Sequence, residues 1–496
     1  MNDARTQLHH AIARRTLLQG GFALAATGLA VPALSGRALA APTPARTDAE
    51  VYGAPTVSPL VWQRADPFVT RPVDGTYYFT GSVPEYDRVV VRGAPTIAGL
   101  GTASESVIWR RPSTGQMGGH IWAPELHRID GRWYVYFAAG DAGNVFNIRM
   151  YVMESNLADP REPAGWGAPR QILTPWQSFS LDSTTFEHAG RRYLVWAQSE
   201  PEIAVNTSLY IAEMASPFAL ATDPVRIATP TLPWEVQGYK VNEGPAVLVR
   251  NGKVFLTFSA SATDARYCMG LLTADASANL LDHRSWTKSP DPVFTTNEQT
   301  RQYGPGHNSF TVAEDGVTDV LVYHARDYRD IVGDPLYDPN RHARAQRLYW
   351  HPDGTPLFGV PVGVGGPILR LSPGDASSSF VRHYEYGLRV DADVRELADS
   401  QFRFVAGLAG GDTVSLQSVN FPDRYVRVTG SSLRIDPVDT GATFATDASF
   451  VRLPGLATPK GLSLRTVADP TLYVRHDKGR LTVAPASGSK STFLPS

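Results

Sequence analysis

The chain has 496 residues, a formal net charge of −2 and 19% charged residues. That length is too great for one small core and points to two or three domains, while the near-neutral balance excludes the basic footprint of a nucleic-acid-binding protein. Aromatic residues reach 10%, with ten Trp and twenty Tyr, a content that serves either to fill β-cores or to stack on sugar rings.

Residues 1–40 read as an export leader. Arg14 and Arg15 precede an apolar stretch, GGFALAATGLAVPAL, and Ala38-Leu39-Ala40 offers an A-x-A cleavage site. RRTLL resembles the twin-arginine signal, which exports proteins already folded. A membrane anchor is the weaker reading, because Pro32 breaks the stretch and no later run reaches the roughly 20 apolar residues that span a bilayer. The one cysteine, Cys268, excludes an intramolecular disulfide. After an N-terminal segment, 41–56, the mature chain is expected to be soluble, extracellular and monomeric, with no membrane partner.

From residue 57 onward short segments rich in Val, Tyr, Phe, Trp and Thr alternate with Gly, Pro, Asp and Asn, the pattern of an all-β protein. One hairpin recurs: DGTYYFTGS at Gly75, DGRWYVYFAA at Gly131, AGRRYLVWAQ at Gly190, NGKVFLTFSA at Gly252 and DGVTDVLVYHA at Gly316. These glycines are 56, 59, 62 and 64 residues apart. Each supplies the positive φ of a tight turn, and an aromatic or branched strand follows. Five such units, none able to bury both faces alone, predict a five-bladed β-propeller over 57–370. A β-helix is the alternative, although its rungs would be shorter and more uniform.

Upstream of each turn stands a titratable group. Asp66 lies nine residues before Gly75, Glu125 six before Gly131, Asp182 eight before Gly190, Glu243 nine before Gly252 and His307 nine before Gly316. In a propeller that position begins the innermost strand, so the five side chains are expected to meet on the axis. Carboxylates crowded in a cleft cannot all ionise normally, and at least one is pushed towards its protonated form. A protonated acid facing an ionised one across a sugar-sized gap is the arrangement of glycoside hydrolysis. Turn capping or metal binding is the competing role, and a non-catalytic lectin the competing function.

RADPFV, HIWAPELHRIDGRWYVYFA, SLDSTTF, KVNEGPAVLVRNGKVFL and GPGHNSF, in this order, resemble glycoside hydrolase family 43 over residues 57–370. The resemblance implies a five-bladed propeller that hydrolyses arabinose- and xylose-containing plant polysaccharides with inversion and requires no cofactor. It makes Asp66 the general base, Glu243 the general acid, and Asp182 the carboxylate that raises the acid's pKa. His307 becomes a channel residue holding a water or, through it, a calcium ion on the axis, and Glu125 and His307 are candidates for binding the substrate. Trp122 and Trp196 are candidates for stacking on the sugar, and Arg326 for reaching the catalytic carboxylates. An exo-acting α-L-arabinofuranosidase is the expected activity; an endo-α-1,5-arabinanase and a β-xylosidase would use the same carboxylates.

The segment PILRLSPGDASSS, 368–379, reads as a linker, and three related stretches follow within 376–496. Threefold repetition of segments too short to fold alone argues a β-trefoil. The stretches resemble carbohydrate-binding module family 42, which implies a partner bearing arabinofuranose side chains. In that module each pocket uses a His after a Val-Arg pair and an Asp before a closing Phe. The first repeat has both, His383 and Asp399; the second has Asp447 but Val428 in place of His; the third has His476 but Ser491-Thr492 before Phe493. One competent pocket is expected, in the first repeat.

Overall fold

The computed structural model describes residues 56–441 and 443–496; the expected leader and residues 41–55 lie outside the described residues. Five antiparallel sheets follow one another along the chain. Blade 1 is Ala65–Val69, Tyr77–Ser82, Arg88–Ala94 and Ser106–Arg110; blade 2 is Ile121–Ile129, Arg132–Asp141, Asn144–Ser155 and Arg170–Gln171. Blade 3 is Ser180–His188, Arg191–Gln198 and Ser208–Ser216, with Ala219–Leu220 and Val225–Ala228 outside. Blade 4 is Asn242–Arg250, Lys253–Ala260, Cys268–Asp275 and Thr287–Lys288, and blade 5 is Tyr303–Val312, Asp319–Arg326 and His342–Arg347. The first strand of each blade touches the first strands of its two neighbours, and the ring is closed.

The first two strands of each blade join at the recurring glycine. Asp74-Gly75, Asp130-Gly131, Ala189-Gly190 and Asn251-Gly252 all have φ between +49° and +80° at both positions, the geometry of a type I′ turn. A Cβ added at those four glycines would meet nothing. Backbone conformation, not space, demands glycine there.

The second strands read as continuous apolar runs because each is buried on both faces. In blade 2, Trp133, Val135 and Phe137 pack on blade 1, whereas Tyr134 and Tyr136 pack on Leu194 and Trp196 of blade 3. In blade 3, Tyr193, Val195 and Ala197 turn the other way, onto Val254, Leu256 and Phe258 of blade 4. Phe255 of blade 4 meets Leu321 and Tyr323 of blade 5, and Val320 and Val322 meet Tyr77 and Phe79 of blade 1. The core is thus five apolar wedges, one per junction.

Blade 5 gains its outer partner from the beginning of the domain: Val61 pairs with Ala343, with Ala343 N–H donating to the Val61 carbonyl at 2.9 Å. This closes the ring by joining its two ends.

The trefoil repeats four strands three times within 371–495. Its core is threefold in sequence as well as in space: Leu371, Val381, Leu388, Phe402; Leu416, Val426, Leu433, Phe450; Leu464, Val474, Leu481, Phe493. Leu371–Pro373, read from sequence as linker, is the first strand of this unit and pairs with Phe493–Pro495. Arg403 fastens the trefoil to the end of the propeller by donating to the carbonyls of Gly363 and Val364.

Val61 is 1% exposed among the residues joining blades 5 and 1. Val61→Asp would bury a carboxylate at the closure, and we expect a cost above about 3 kcal/mol, read as a lower denaturation temperature by calorimetry.

Candidate active site

All five innermost strands break their own ladder near the same place. Pairing with the second strand shifts between Ala65 and Phe68, Trp122 and Glu125, Glu243 and Ala246, and Gly306 and Ser309; in blade 3 it shifts opposite Leu181 and Thr184. At each break one residue has left-handed backbone: Asp66 (φ 51°), Ala123 (46°), Asp182 (56°), Gly244 (54°) and His307 (43°). These are β-bulges, which re-aim side chains and free an N–H from the sheet. Asp66, Asp182 and His307 therefore occupy equivalent positions. Glu243 precedes its bulge residue and Glu125 lies two beyond its own, so the sequence reading of five equivalent positions is corrected in those two blades.

The freed N–H groups find side chains. That of Asp66 donates to His324 Nδ1 (3.0 Å), that of Ala123 to Ser82 Oγ (2.8 Å), and that of His307 to Ser259 Oγ (2.7 Å). The Gly244 N–H donates to Asp182 Oδ2 at 3.0 Å, which ties Asp182 to the backbone next to Glu243. Gly244 is required, since a Cβ there would lie 3.0 Å from His307 Cγ.

Two carboxylates, those of Asp66 and Asp182, meet at His307. Its Nδ1 is 3.3 Å from Asp66 Oδ1 and 3.8 Å from Asp182 Oδ2. Ser82 Oγ donates to Asp66 Oδ2 at 2.5 Å, and Arg341 Nη1 approaches Asp66 Oδ1 at 3.4 Å. Tyr267 donates its hydroxyl to Glu243 Oε1 at 2.8 Å and stacks on His324.

Burial alone would raise the Asp66 pKa, but His307, Arg341, His324 and the Ser82 hydroxyl together draw it down to about 2. Burial also pushes both histidines down, so at neutral pH the standing positive charge beside Asp66 is Arg341. Glu243 is raised to about 7, first by burial and then by the charge of Asp66, against the pull of the Tyr267 hydrogen bond. Asp182 is raised well above its ordinary value by burial, Glu243 and Asp66, with the Gly244 N–H opposing. Asp182 and Glu243 titrate as a pair that retains a proton where Asp66 has none. An ionised carboxylate and a protonated one in a buried cleft are the components of acid–base hydrolysis.

Other expected residues are placed differently. Trp122 is nearly buried at the mouth, stacked on His120 at 5.0 Å. Glu125 is bonded to His127 Nε2 at 2.8 Å. Trp196 is not a stacking residue: it is fully buried between blades 2 and 3 and donates to Gln198 Oε1. Strand alternation turned it away from the axis. Arg326 does not reach the carboxylates either; its guanidinium is taken by Asp338 and two carbonyls, and Arg341 holds the expected place. Calcium prefers six to eight oxygen ligands. Among the described residues no group of three His, Cys, Asp or Glu side chains is arranged to hold a metal directly.

Arg341, Ser82, His324 and Tyr267 escaped the sequence reading. Aligned on the turn glycines, Ser82 and Ser259 both fall seven residues on, a signal that was present. Arg341 had none, because ring closure brings it beside Asp66. At the far end of the channel a cavity of about 340 Å³ opens between Phe68, His127, Arg128, Thr184 and Phe310, without any of the three carboxylates.

Residues 57–356 match the family described as Glycosyl hydrolases family 43. The chain belongs to glycosyl hydrolase family 43. Residues 369–494 match the Alpha-L-arabinofuranosidase B (ABFB) domain. The chain is 53% identical over 416 residues to an extracellular exo-α-(1→5)-L-arabinofuranosidase of Streptomyces avermitilis, covering 84% of this chain and 86% of that one. It is 52% identical over 454 residues to α-L-arabinofuranosidase 43 of Humicola insolens, covering 88% and 94%. The crystal structure of an α-L-arabinofuranosidase from Lactobacillus brevis superimposes with a TM-score of 0.61 at 52% identity, covering 62% of this chain and 98% of that one.

In the trefoil of this family 43 chain, His383 Nε2 is 2.9 Å from Asn420 Oδ1 and 3.4 Å from Asp399 Oδ1, and Asp399 also accepts from Arg382. Asp447 lines a cavity of about 360 Å³ with Arg427, Val428 and Asp469. His476 Nδ1 lies 2.9 Å from Asp375, so the third repeat draws a carboxylate from the connection between the first two strands of the first.

A carboxyl whose pKa is raised in the fold binds more protons there than in the unfolded chain, so stability falls as pH rises through that window. For Glu243 the window runs from its ordinary 4.5 to about 7. Glu243→Gln should therefore be more stable than wild type at pH 8, by roughly 3 kcal/mol at most, and no more stable at pH 4. Asp66 acts oppositely, its contribution being lost as pH falls from 3.8 towards 2. Thermal denaturation at both pH values checks the sign.

Proposed function

We propose that the protein is a secreted, inverting exo-α-L-arabinofuranosidase that removes terminal arabinofuranose from arabinose-containing plant polysaccharides. The observation that carries the reading is the opposed charging of Asp66 and Glu243 within one buried site. Asp66, ionised and held by Ser82 and Arg341, is the general base that takes a proton from water. Glu243, protonated and aimed by Tyr267, is the general acid that protonates the leaving oxygen. Asp182 shares the retained proton with the acid and fixes the Gly244 backbone. The names of the Streptomyces and Humicola relatives favour arabinofuranose over xylose; the word extracellular in the Streptomyces name, with the twin-arginine-like leader, supports export.

Activity requires Asp66 ionised and Glu243 protonated, so kcat/KM should be flat over the acid range and fall as pH rises through about 7. Glu243→Gln should lose about 10²- to 10⁴-fold on arabino-oligosaccharides and much less on an aryl arabinofuranoside, whose leaving group needs no proton. Asp66→Asn should be nearly inactive on both. Proton NMR of the first product should show the inverted anomer; a retained anomer, or equal rates for Glu243→Gln and wild type on oligosaccharides, overturns the assignment.

We further propose that the trefoil holds arabinofuranose side chains through His383, Asp399 and Asn420 of the first repeat, with Asp447 and His476 in the other two. His383→Ala should lower retention on insoluble arabinoxylan about tenfold, the loss expected when a buried hydrogen-bonding group is removed, as measured by depletion from the supernatant.

A further inference from the structure

His324 stands on the second strand of blade 5 and is 1% exposed. It makes contact with both neighbouring blades. Towards blade 1 its Nδ1 accepts from the Asp66 N–H at 3.0 Å, and the same nitrogen is 3.5 Å from Asp66 Oδ1. Towards blade 4 its ring stacks on that of Tyr267, with centres 5.6 Å apart and planes inclined by 9°, the offset arrangement that aromatic rings prefer. Tyr267 in turn donates to Glu243 Oε1. One imidazole therefore touches the backbone of the base and the phenol that aims the acid.

The slot for Tyr267 is opened by a glycine. Gly306, on the first strand of blade 5, is the ladder partner of His324, and a Cβ there would lie 2.5 Å from Tyr267 Cε1. The tautomer of His324 follows from its bond to Asp66. Nδ1 accepts, so the neutral ring carries its proton on Nε2, an atom buried without a partner among the described residues. The charged and titratable groups around the ring are Arg341, Arg326, Asp66, Tyr267 and His307, whose ring centre is 6.4 Å away. Burial and Arg341 outweigh Asp66 and keep His324 neutral. A buried, unpaired N–H is costly, and a side chain kept only to fill space would be apolar. Asparagine has an acceptor at the δ position but no flat face, and phenylalanine has the face but no acceptor. Imidazole has both.

Resting on the acid and base assigned above, we propose that His324 is a positioning residue that serves both of them at once. Its Nδ1 holds the bulge that presents Asp66, and its face holds Tyr267 and through it the aim of Glu243. It exchanges no proton with the substrate. Its effect is to set the base of blade 1 and the acid of blade 4 from a single rigid ring on the blade between them.

Two substitutions separate the two duties. His324→Phe keeps the stack and removes the acceptor; His324→Asn keeps an acceptor where Nδ1 stood and removes the ring. Each variant is assayed on an arabino-oligosaccharide, which needs the acid, and on an aryl arabinofuranoside, which does not, with rates referred to the folded fraction read by circular dichroism. The ratio of the two kcat/KM values does not depend on how much of a variant folds. His324→Phe should lose about 10²-fold on both substrates, the size that a misplaced reacting group gives, and keep the wild-type ratio. His324→Asn should lose about tenfold on the oligosaccharide, the worth of the stack, and less than about threefold on the aryl substrate. Its alkaline limb should move to higher pH, because the Tyr267 hydrogen bond that lowers Glu243 is loosened. A ratio moved by His324→Phe, a ratio unmoved by His324→Asn, or an undiminished rate in His324→Phe overturns the proposal; a merely structural role lowers both rates together in both variants. Glu243→Gln, assayed alongside, should shift the ratio at least as far as His324→Asn. If it leaves the ratio at the wild-type value, the assignment of the acid fails, and not only that of His324.

Discussion

The site depends on a repeated break in the sheet. A strand running along the axis of a propeller points its side chains alternately at the two neighbouring blades, and none straight down the channel. The bulge at Asp66, Ala123, Asp182, Gly244 and His307 changes that direction by placing one residue in left-handed backbone. Such residues cost on the order of 1–3 kcal/mol each where they are not glycine, and Asp and His tolerate the conformation better than most. The freed N–H groups would add a further penalty if left buried and unpaired. Ser82, Ser259 and His324, all on second strands, accept three of them, and Asp182 accepts a fourth. One carboxylate thereby does structural and chemical service in the same bond.

Strain of this kind persists only inside a scaffold that cannot relax. The five apolar wedges between blades supply that rigidity, with Trp133, Tyr136, Trp196 and Tyr323 fully buried at the junctions. The wedges also explain the aromatic richness of the chain. Most tryptophans that a reader would assign to sugar contacts are filling space between sheets, as Trp196 does. Aromatic side chains more open to a ligand stand at the mouth, and Phe146 and Tyr337 belong to that set.

Electrostatics then divides three similar carboxylates into different roles. Burial raises each of them. Asp66 escapes because Arg341, Ser82 and two imidazoles converge on it. Glu243 has the Tyr267 hydroxyl and the field of Arg341 to lower it, and these do not offset burial and the charge of Asp66. Asp182 has the Gly244 N–H, while burial and the charges of Glu243 and Asp66 raise it. The cost of charging Glu243 opposes stability at alkaline pH and, in the same measure, holds the proton that glycoside cleavage requires.

The repeat of turn glycines was legible because a type I′ turn is a local demand: Gly75, Gly131, Gly190 and Gly252 are required by the few residues around them. The alternation of apolar strands and the threefold core of the trefoil were legible for the same reason, since pattern and period are properties of short segments. From these the propeller, the trefoil and the convergence of Asp66, Asp182 and Glu243 could be read in the chain. Arg341 and Tyr337 could not, because they reach Asp66 and His120 only after blade 5 has closed upon blade 1, across more than 200 residues of chain. Nor could the difference between Trp122 and Trp196, which depends on where a bulge ends and regular alternation resumes. Asp375, placed beside His476 by the pairing of the trefoil's first and last strands, is of the same kind: contacts made by closure leave no mark in the sequence near either partner.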